Sequence, residues 1–499
     1  MQKILSTQQI KALDAYTIRH EPIDSIDLME RACRAFVGWL SPRIDTSKKI
    51  GIICGTGNNG GDGLGIARML HAWNYNVKVW VVRGTVPETE DFKINFRRID
   101  GKLPVTEIVS EAVSSLFADC DVLIDAIFGS GLSRPVDGIY AQVIDAVNQS
   151  DVVRIAVDIP SGLVADGPSH GHIVRADYTV SFQLPKLAFL LPQSHLYVGE
   201  WTTVDIGLHK GAIKTAETEN FYVTLKGVKK ILKPRAKFSH KGSYGHALLV
   251  AGSYGKMGAA VLASRAALRS GPGLLTVHIP REGYAIIQTA VPEAMTEIDP
   301  HEKHFSTLPK SDVYAVVGIG PGLGQHADTV KAFRNLLESF RKPIVIDADG
   351  LNILAVNPEW LQLIPENSIL TPHPKEFERL AGVWSNDFEK LQKQRQLARD
   401  LKSVIVLKGA NTSIAAPDGK MYFNATGNPG MATGGTGDVL TGIVTGLVAQ
   451  SYSSTDAAVL GVYLHGLSGD LVAMERGMYG MVASDLVDFL PSAFTKLTR

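Results

Sequence analysis

The sequence has 499 residues and carries 50 Lys plus Arg against 50 Asp plus Glu, so its formal net charge is zero at pH 7. This balance argues against a nucleic acid as the main partner, because binding to the phosphate backbone needs a clustered excess of Lys and Arg. With 45% hydrophobic and 20% charged residues, the composition is typical of a globular protein of about two or three domains.

The first part of the chain alternates short apolar runs with amphipathic stretches, which is typical of βα units around a mostly parallel sheet. Two helices are predicted first, and the second covers 25–40, where Leu28, Ala32, Phe36 and Leu40 share one helix face. Strands are then predicted at 49–54, 77–82, 121–127, 152–158 and 178–182. Several are nearly continuous Val, Ile and Leu runs, typical of strands buried on both faces.

A second series of the same kind begins after about residue 240. Strands are predicted at 246–251, 274–279, 313–319, 343–347 and 404–408, and a long apolar helix follows Gly437. Between the two series, 207–242 mixes charges with turn residues and has no sustained apolar period. We therefore predict an α/β fold with two doubly wound domains, an N-terminal Rossmann-like sheet over 1–220 and a second sheet over 221–499.

The sequence also bears on the cellular compartment. It contains three cysteines, Cys33, Cys54 and Cys120, with no CxxC pair and no spacing that could hold zinc. A reducing cytoplasm is the predicted location, and the polar N-terminus does not read as a signal peptide. The most apolar stretch, 439–449, is too short for a membrane span and is predicted to be a buried helix, so we expect no membrane partner.

A glycine-rich turn follows the first predicted strand, with Gly55, Gly57, Gly60, Gly61 and Gly63 in nine residues before a helix. Glycines allow close backbone approach to a ligand, and the N–H groups that open a helix bind anions. The GxGxxG match alone fits an empty βα turn equally well. The acidic residue of a dinucleotide fingerprint is missing, since Arg83 follows the next strand. Arg83 is interpreted as a solvated charge, and the alternative is that it favours a 2′-phosphate.

Polar residues also end two further predicted strands: Asp125 ends one, and Asp158 ends the next, with Ser161 just beyond it. The carboxyl ends of parallel strands share one crevice, so these side chains are expected to meet. A single Asp at a strand end commonly only caps a turn. Two such residues, each followed by a glycine turn, favour a binding site.

The motifs NNGGDG at 58–63, FGSGLSRPV at 128–136 and VDIPSG at 157–162, with LMERA at 28–32, resemble the NAD(P)H-hydrate epimerase domain. The resemblance covers about residues 1–215. It implies that Asp158 is the acid/base residue and that a potassium ion binds near Asn59, Asp125 and Ser161. The substrate contacts that it implies, besides Asp158, are Asn58, Asn59, Gly60, Gly61, Asp62, Gly129, Ser130, Gly131, Leu132, Ser133, Arg134, Pro135 and Tyr140.

The strongest motif of the second half is the glycine-rich run 434–437, which leads through Asp438 into the long apolar helix. Consecutive backbone N–H groups at the positive end of a helix stabilise a moving phosphoryl group, and Asp438 can accept a hydroxyl proton. The alternative is a flexible turn whose Asp only caps the helix. No GxxxxGK[ST] motif occurs, which excludes a P-loop enzyme.

This run is similar to the ribokinase-like superfamily. Five further motifs make the chain resemble the NAD(P)H-hydrate dehydratases within that superfamily: KGSYGHALLVAGSYGKMGAA at 241–260, GIGPGLG at 318–324, DADGLN at 347–352, TPHPKEF at 371–377 and LKGANT at 407–412. The resemblance implies a ribokinase-like domain, ADP as phosphoryl donor and a magnesium ion. It places Ala259, Gly322, His373 and Asp438 at the hydrated substrate, and Lys408, Gly409, Ala410, Asn411, Thr412 and Gly437 at the nucleotide.

Two of these residues also have simpler interpretations. His373 lies between two prolines and could be only a turn residue, and Lys408 could be a solvated charge at a strand end. Sugar kinases of the superfamily carry an Asn-x-x-Glu for magnesium, whereas this chain has His373 and Glu376 at that spacing, which leaves a metal role for Glu376 open.

Together the resemblances predict a bifunctional enzyme that epimerises the R and S hydrates of NADH and NADPH and dehydrates the S hydrate at the expense of ADP. Its expected partners are small molecules and further copies of itself in a homo-oligomer. The alternative is a small-molecule kinase fused to a non-catalytic N-terminal binding module.

Overall fold

The computed structural model describes residues 1–109, 116–308 and 311–498. The chain divides into two compact units. The N-terminal unit comprises Lys3–Thr218 with Asn386–Phe388, and the C-terminal unit comprises Met1–Gln2, Glu219–Ser385 and Glu389–Arg499. The main division lies beside residue 220, where the segment rich in charges and turn residues joins the two series of βα units.

Up to residue 218 the chain forms parallel βα units after two leading helices. The strands are β1 (Gln2–Ile4), β2 (Lys49–Cys54), β3 (Asn76–Val82), β4 (Val105–Ile108), β5 (Val122–Ala126), β6 (Val153–Val157), β7 (Tyr178–Phe182) and β8 (Glu200–Val204). The helices are α1 (Thr7–His20), α2 (Ser25–Leu40), α3 (Asn58–Ala72), α4 (Glu90–Ile99), α5 (Gly138–Gln149), α6 (His195–Val198) and α7 (Lys210–Thr215).

Seven of these strands form one parallel sheet in the order β4-β3-β2-β5-β6-β7-β8. The first strand of the sheet, β2, lies in the middle, and the chain moves outward from it in both directions. This is the Rossmann order, in which the loops after the two central strands diverge and leave a crevice between them. The topology therefore puts the loops after β2 and β5 side by side.

From residue 219 onward the chain forms a second α/β unit. The strands are β9 (Asn220–Tyr222), β10 (His246–Val250), β11 (Leu274–Ile279), β12 (Met295–Ile298), β13 (Val316–Ile319), β14 (Ile344–Ile346), β15 (Ile369–Leu370), β16 (Val404–Leu407), β17 (Ser413–Ala415) and β18 (Met421–Phe423). The helices are α8 (Leu225–Lys229), α9 (Met257–Ser270), α10 (Tyr284–Ala290), α11 (Ala327–Ser339), α12 (Ala348–Val356), α13 (Pro374–Ala381), α14 (Asp387–Asp400), α15 (Thr436–Ala449), α16 (Ser454–Arg476) and α17 (Ala483–Thr498).

These ten strands run in the order β9-β18-β17-β16-β15-β14-β13-β10-β11-β12. The strands from β16 to β12 are parallel, whereas β17 is antiparallel to both of its neighbours. The order reverses at β10, between β11 and β13, so a second crevice opens after β10 and β13. The predicted fold class, α/β with two doubly wound sheets, is confirmed.

The apolar stretch 439–449 is buried along its length as part of α15. Helix α15 packs closely on α9, and this approach depends on glycine. A Cβ at Gly442 would overlap the carbonyl oxygen of Ala263, and a Cβ at Gly446 would overlap the Ser270 hydroxyl. The prediction of a buried core helix is therefore correct, and the glycines in the stretch are packing positions.

Helix α16 is the one helix in the described residues that is long and apolar enough to cross a membrane, and 67% of its most apolar window is buried inside the protein. A helix in the core of a protein can have the same length and apolar composition. The three cysteines are free, with Cys33 and Cys54 buried and Cys120 half-buried.

Candidate active sites

The crevice of the N-terminal unit is a cavity of about 500 Å³ at the carboxyl edge of its sheet. The loop after β2, the loop after β5 and the residue after β6 all contribute to its wall, as the strand order requires. Helix α3 begins at this cavity, so its first-turn N–H groups, which lack intrahelical acceptors, provide anion-binding donors there.

The substrate contacts implied by the resemblance line this cavity, except for Gly60 and Gly61. These two glycines face the protein interior. A Cβ at Gly60 would overlap the carbonyl oxygen of Gly55, and one at Gly61 would lie 3.0 Å from the Met29 side chain. Their role is to let the chain turn tightly and to let α3 pack, so that Asn58, Asn59 and Asp62 reach the cavity.

Asp158 lies directly after β6, with a backbone φ of 67° in the left-handed region. This conformation is uncommon for a residue other than glycine, and such strained residues are frequent at active sites. Its Oδ1 accepts hydrogen bonds from the Phe182 N–H at 3.0 Å and from the ammonium of Lys186. The Lys186 side chain is 5% exposed and also donates to the Ser181 hydroxyl at 2.6 Å, so the ion pair is buried and held in place.

Of the expected cation ligands, Asn59 lines the same cavity, whereas Asp125 and Ser161 are buried and do not line it. Asp125 accepts a hydrogen bond from the Ser161 hydroxyl at 2.6 Å and from the Ser161 N–H at 2.7 Å. Burial raises the pKa of Asp125 to about 6, although hydrogen bonds from Ser161 and the Ile127 N–H oppose the shift. The side-chain amide nitrogen of Asn59 is buried and lacks a hydrogen-bond partner in the described residues. Asp125 and Ser161 are thus paired with each other, and the Asn59 amide nitrogen is left unsatisfied.

Two further carboxyl groups share the cavity with Asp158. Burial, followed by repulsion from Asp158, raises the pKa of Asp14 to about 6, although Lys186 opposes the shift. Burial and the charges of Asp158 and Asp14 raise the pKa of Asp62 well above its ordinary value. The hydroxyl of Tyr140 is also buried without a partner among the described residues. The cavity thus holds several groups that can exchange or donate protons to a ligand.

Sequence reasoning missed Asp14, Lys11 and Lys186 in this site. Lys186 follows the end of β7 by four residues, so the rule that places Asp125 and Asp158 at the carboxyl edge would also have placed Lys186 there. Asp14 and Lys11 come from α1, outside the βα series, and no motif marks them. Arg83, interpreted as a solvated charge, is partly exposed, and its guanidinium pairs at the surface with Glu88 and Glu107.

The C-terminal unit has its own cavity, of about 470 Å³, at its carboxyl edge. The loop after β10 with the start of α9, the glycine loop after β13, the start of α12 and the start of α15 form its wall. Of the residues expected at the hydrated substrate, Ala259, Gly322 and Asp438 line it. Lys256 and Asp349, which sequence reasoning did not assign, line it as well.

Asp438 lies in the first turn of α15, after Gly435, whose φ of 91° turns the chain into the helix. Within the described parts of the chain its carboxylate makes no hydrogen bond or ion pair. Burial, followed by the charge of Asp347, raises the pKa of Asp438 to about 6, and Lys408 opposes this shift. A carboxylate with that pKa and no competing donor is suited to accept a proton near neutral pH.

Lys408 contacts a different carboxylate. Its ammonium donates to Asp347 Oδ1 at 2.8 Å, and the Thr441 hydroxyl donates to Asp347 Oδ2 at 2.6 Å. Asp347 is fully buried at the start of α12. A Cβ at Gly437 would lie 3.5 Å from the Lys408 ammonium, which brings the base of α15 next to this pair. Lys408 is therefore paired rather than solvated.

The other expected nucleotide and substrate residues lie around Lys408 rather than in the wall of the Asp438 cavity. Gly409 and Thr412 close a short turn, in which the Thr412 hydroxyl donates to the Gly409 carbonyl at 2.9 Å, and this turn carries Ala410 and Asn411. His373 caps α13, where its Nδ1 accepts the Glu376 N–H at 3.2 Å. Glu376 in turn accepts the His373 N–H at 2.8 Å. The contacts of His373 are therefore those of a residue that caps the start of a helix.

The chain is similar to known proteins along its whole length. The family described as YjeF-related protein N-terminus matches residues 25–188, and the NAD(P)H-hydrate dehydratase family matches residues 247–492. The bifunctional NAD(P)H-hydrate repair enzyme Nnr of Moorella thermoacetica is 37% identical, over 99% of this chain and 97% of its own. The protein of that name from Thermofilum pendens is 36% identical over the same shares.

A solved structure is similar to the C-terminal part. It is that of the ADP/ATP-dependent NAD(P)H-hydrate dehydratase from Bacillus subtilis, co-crystallised with ATP and Mg²⁺. It is 34% identical, covers 56% of this chain and 98% of its own chain, and superposes with a TM-score of 0.49.

Proposed function

The chain belongs to the family of bifunctional NAD(P)H-hydrate repair enzymes, and we propose that each of its two cavities carries out one of the two repair steps. The N-terminal cavity interconverts the R and S hydrates of NADH and NADPH. The C-terminal cavity dehydrates the S hydrate with ADP as phosphoryl donor. The observation that supports this proposal is that each unit places a carboxylate in a cavity beside helix N-terminal N–H groups, at the point where its strand order reverses.

For the epimerase step, the carbon that inverts carries a hydroxyl group and is bonded to the ring nitrogen. The Asp158 carboxyl group donates a proton to the hydroxyl, which leaves as water, and the ring nitrogen stabilises the cation that remains. Addition of water to the other face of the ring, with the released proton going back to Asp158, inverts the centre. Lys186 holds the Asp158 carboxylate in position, and Asp14, with a pKa of about 6, exchanges protons with the same cavity.

We propose that a potassium ion binds beside this cavity, near Asn59, Asp125 and Ser161. Asn59, Asp125 and Ser161 offer oxygen ligands, which hard cations prefer. The unpartnered Asn59 amide supports a ligand there, because rotating the amide by half a turn presents its oxygen in place of its nitrogen. When bound, the cation supplies positive charge beside the loops at 58–62 and 129–135, which we propose hold the substrate phosphates.

For the dehydratase step, a hydroxyl is a poor leaving group, and phosphorylation turns it into a good one. Asp438 accepts the hydroxyl proton while the hydroxyl oxygen attacks the terminal phosphorus of ADP and AMP departs. The N–H groups of Gly435 to Gly437 stabilise the transferring phosphoryl group. The ring nitrogen then expels phosphate, and loss of a proton from the neighbouring carbon restores NADH or NADPH.

The nucleotide is proposed to contact Lys408, the 409–412 turn and Gly437. Magnesium fits the carboxylate of Asp349, which lines the same cavity as Asp438, since Mg²⁺ takes one or two carboxylates together with phosphate oxygens. When bound, it neutralises phosphate charge. Glu376 is not proposed as a ligand, because it accepts the His373 N–H and lies 3.9 Å from the Lys408 ammonium. A cytoplasmic location and a homo-oligomeric state stay predictions.

The test is to incubate the full chain with mixed R and S hydrates of NADH, with and without ADP, and to separate both epimers by chromatography. We expect Asp158→Asn to leave the R hydrate unconsumed while the S hydrate is still converted. Asp438→Asn is expected to interconvert the epimers but to form no NADH. Each affected step should slow by about 10²–10⁴-fold.

Asp151→Asn is the matched control, because Asp151 is exposed just before the amino end of β6, whereas Asp158 follows its carboxyl end. It should leave both activities at the wild-type rate. An Asp158→Asn protein that still consumes the R hydrate at that rate would remove Asp158 from the chemistry, and the same holds for Asp438 and NADH formation.

A further inference from the structure

Three histidines and an aspartate cluster in the C-terminal unit, outside the wall of the Asp438 cavity. The rings of His301 and His304 stack with centroids 3.5 Å apart, and those of His304 and His326 stack at 3.9 Å. Asp328 Oδ2 lies 3.3 Å from His304 Nε2 and 3.5 Å from His326 Nδ1. One carboxylate oxygen thus lies within reach of two imidazole nitrogens.

These separations match the coordination shell of a small divalent metal. Two ligand atoms at about 2.1 Å from a tetrahedral zinc ion lie about 3.4 Å apart. Both distances from Asp328 are close to this value. One ring nitrogen of His304, one of His326 and a carboxylate oxygen of Asp328 lie within 4.8 Å of one another. Two imidazoles and one carboxylate also leave a fourth position for water, and imidazole favours Zn²⁺, Ni²⁺, Co²⁺ or Cu²⁺ over Mg²⁺.

The backbone that carries two of the histidines is held rigidly. Asp299 is fully buried and accepts hydrogen bonds from His278, from the Ser306 N–H and hydroxyl, and from the His301 N–H. Burial opposes its ionisation, but these hydrogen bonds hold the pKa of Asp299 below its ordinary value. The charged carboxylate therefore fixes the segment 299–307 before any ion binds.

The second half of the cluster begins α11. His326 is the N-cap of this helix, and its Nδ1 accepts the Asp328 N–H at a long 3.4 Å. This weak hydrogen bond is readily exchanged for a metal bond. The positive end of the helix opposes a cation at this place, but Asp328 in the first turn offsets that charge.

We propose that His304, His326 and Asp328 bind one divalent transition-metal ion, with zinc as the best fit, which ties the segment 301–304 to the start of α11. Rotation of the stacked rings about their Cβ–Cγ bonds turns their lone pairs toward the ion. His301 is the stacking support of His304. The site is structural, because none of these residues lines the cavity that contains Asp438.

The test uses the full chain purified without a polyhistidine tag and stripped of metal, titrated with Co²⁺ and then with Zn²⁺. We expect one equivalent of Co²⁺ to bind with the visible absorption of a site that has nitrogen ligands, and Zn²⁺ to displace it. Zn²⁺, but not Mg²⁺, should raise the thermal unfolding midpoint. His304→Ala and Asp328→Asn should abolish the one-equivalent signal, and His301→Ala should weaken it about tenfold, as loss of a supporting contact does.

His71→Gln is the control, because His71 is an exposed histidine on α3 and should leave the titration unchanged. Far-UV circular dichroism of each variant without metal shows whether it is folded, and Asp328→Asn provides a second readout if His304→Ala is not. The proposal is overturned if the wild-type chain shows no saturable Co²⁺ binding, or if both variants bind as the wild type does. Neither result bears on the two repair activities, which are measured separately.

Discussion

Asp158 and Asp438 both lie just beyond the carboxyl edge of a parallel sheet, but their nearest charges differ. A buried lysine, Lys186, pairs directly with Asp158. In the C-terminal unit the corresponding lysine, Lys408, pairs with Asp347 instead, and Asp438 makes no hydrogen bond or ion pair within the described residues. The same topology therefore carries two different arrangements of charge.

The difference matches the chemistry proposed for each cavity. An epimerase returns every proton that it takes, so its carboxylate works in both directions and benefits from fixed geometry. A dehydratase that removes one hydroxyl proton needs a base that is free to accept it. Lys408 pairs with Asp347 and not with Asp438, so its charge opposes the rise in the pKa of Asp438 without occupying the Asp438 oxygens.

The largest effect is expected where the lysine contacts the carboxylate itself. Lys186→Met leaves the Asp158 carboxylate buried without a counter-charge, so we expect about 3–5 kcal/mol lower free energy of unfolding. The epimerase rate should fall about 10²-fold or more, since a preorganised charge beside the reacting group is lost. Denaturant unfolding and R–S interconversion measure the two effects.

Lys93→Met is the control for this change, because Lys93 is exposed and pairs with Glu90 at the surface. Surface pairs of this kind contribute little, so its unfolding free energy should stay within about 0.5 kcal/mol of the wild type. Dehydration of pure S hydrate should be unaffected in Lys186→Met while that protein is folded. If epimerisation by the folded variant is also unchanged, the pair has no part in the reaction.

A smaller effect is expected from pH on the dehydratase step. The pKa of Asp438 is about 6, and the base must be ionised, so the rate should be constant above pH 7 and fall below pH 6. At pH 5 it should be about tenfold below its plateau, as expected for one proton with this pKa. Initial rates of NADH formation from S hydrate at saturating ADP measure the profile.

Lys408→Met sharpens this test, because Lys408 opposes the upward shift at Asp438. Removing it should raise the pKa of Asp438 further and move the falling limb to higher pH. If the rate falls at the same pH in the wild type and in Lys408→Met, the fall is not caused by protonation of Asp438.

The smallest effect is on stability. Because the pKa of Asp438 is raised, the folded protein binds this proton more tightly than the unfolded chain does, and ionisation of Asp438 costs folding energy as pH rises from about 4 to 6. Asp438→Asn removes the charge, so it should increase the free energy of unfolding at pH 8 by about 1–2 kcal/mol, after allowance for partial exposure.

The same pair of proteins compared at pH 4 provides the internal control, since Asp438 is then protonated and the gain should disappear. Denaturant midpoints at the two pH values measure it. A gain of equal size at pH 4 would attribute the effect to packing rather than to charge.

Much of the fold could be predicted because buried parallel strands are short, continuous apolar runs. The predicted strands at 49–54, 178–182 and 274–279 coincide with β2, β7 and β11. By contrast, β8 has no buried residue and β15 has only two residues, so neither carries a usable pattern. The predicted strand at 313–319 begins only at Val316, because the residues before it lie outside the ladder.

The candidate sites could be predicted in part, at the residues that lie near strand ends. Asp125 lies at the end of β5 and Ser161 lies beyond the end of β6, so their meeting follows from parallel topology. Asp14 could not be predicted, because it lies on α1, before the βα series, and nothing in its neighbourhood distinguishes it from any other polar helix residue. The pairing of Lys408 with Asp347 could not be predicted either, since the sequence does not tell which of several strand-end carboxylates a lysine reaches.

The sequence by itself determined the order of the βα units, the two glycine-rich turns and the strand-end carboxylates, because these depend on local propensity and on the period of apolar residues. Tertiary structure alone decided which carboxylate receives a lysine and which is left free to titrate. Ion pairing and burial depend on distances between residues far apart in the chain, and those distances exist only once the sheets have formed.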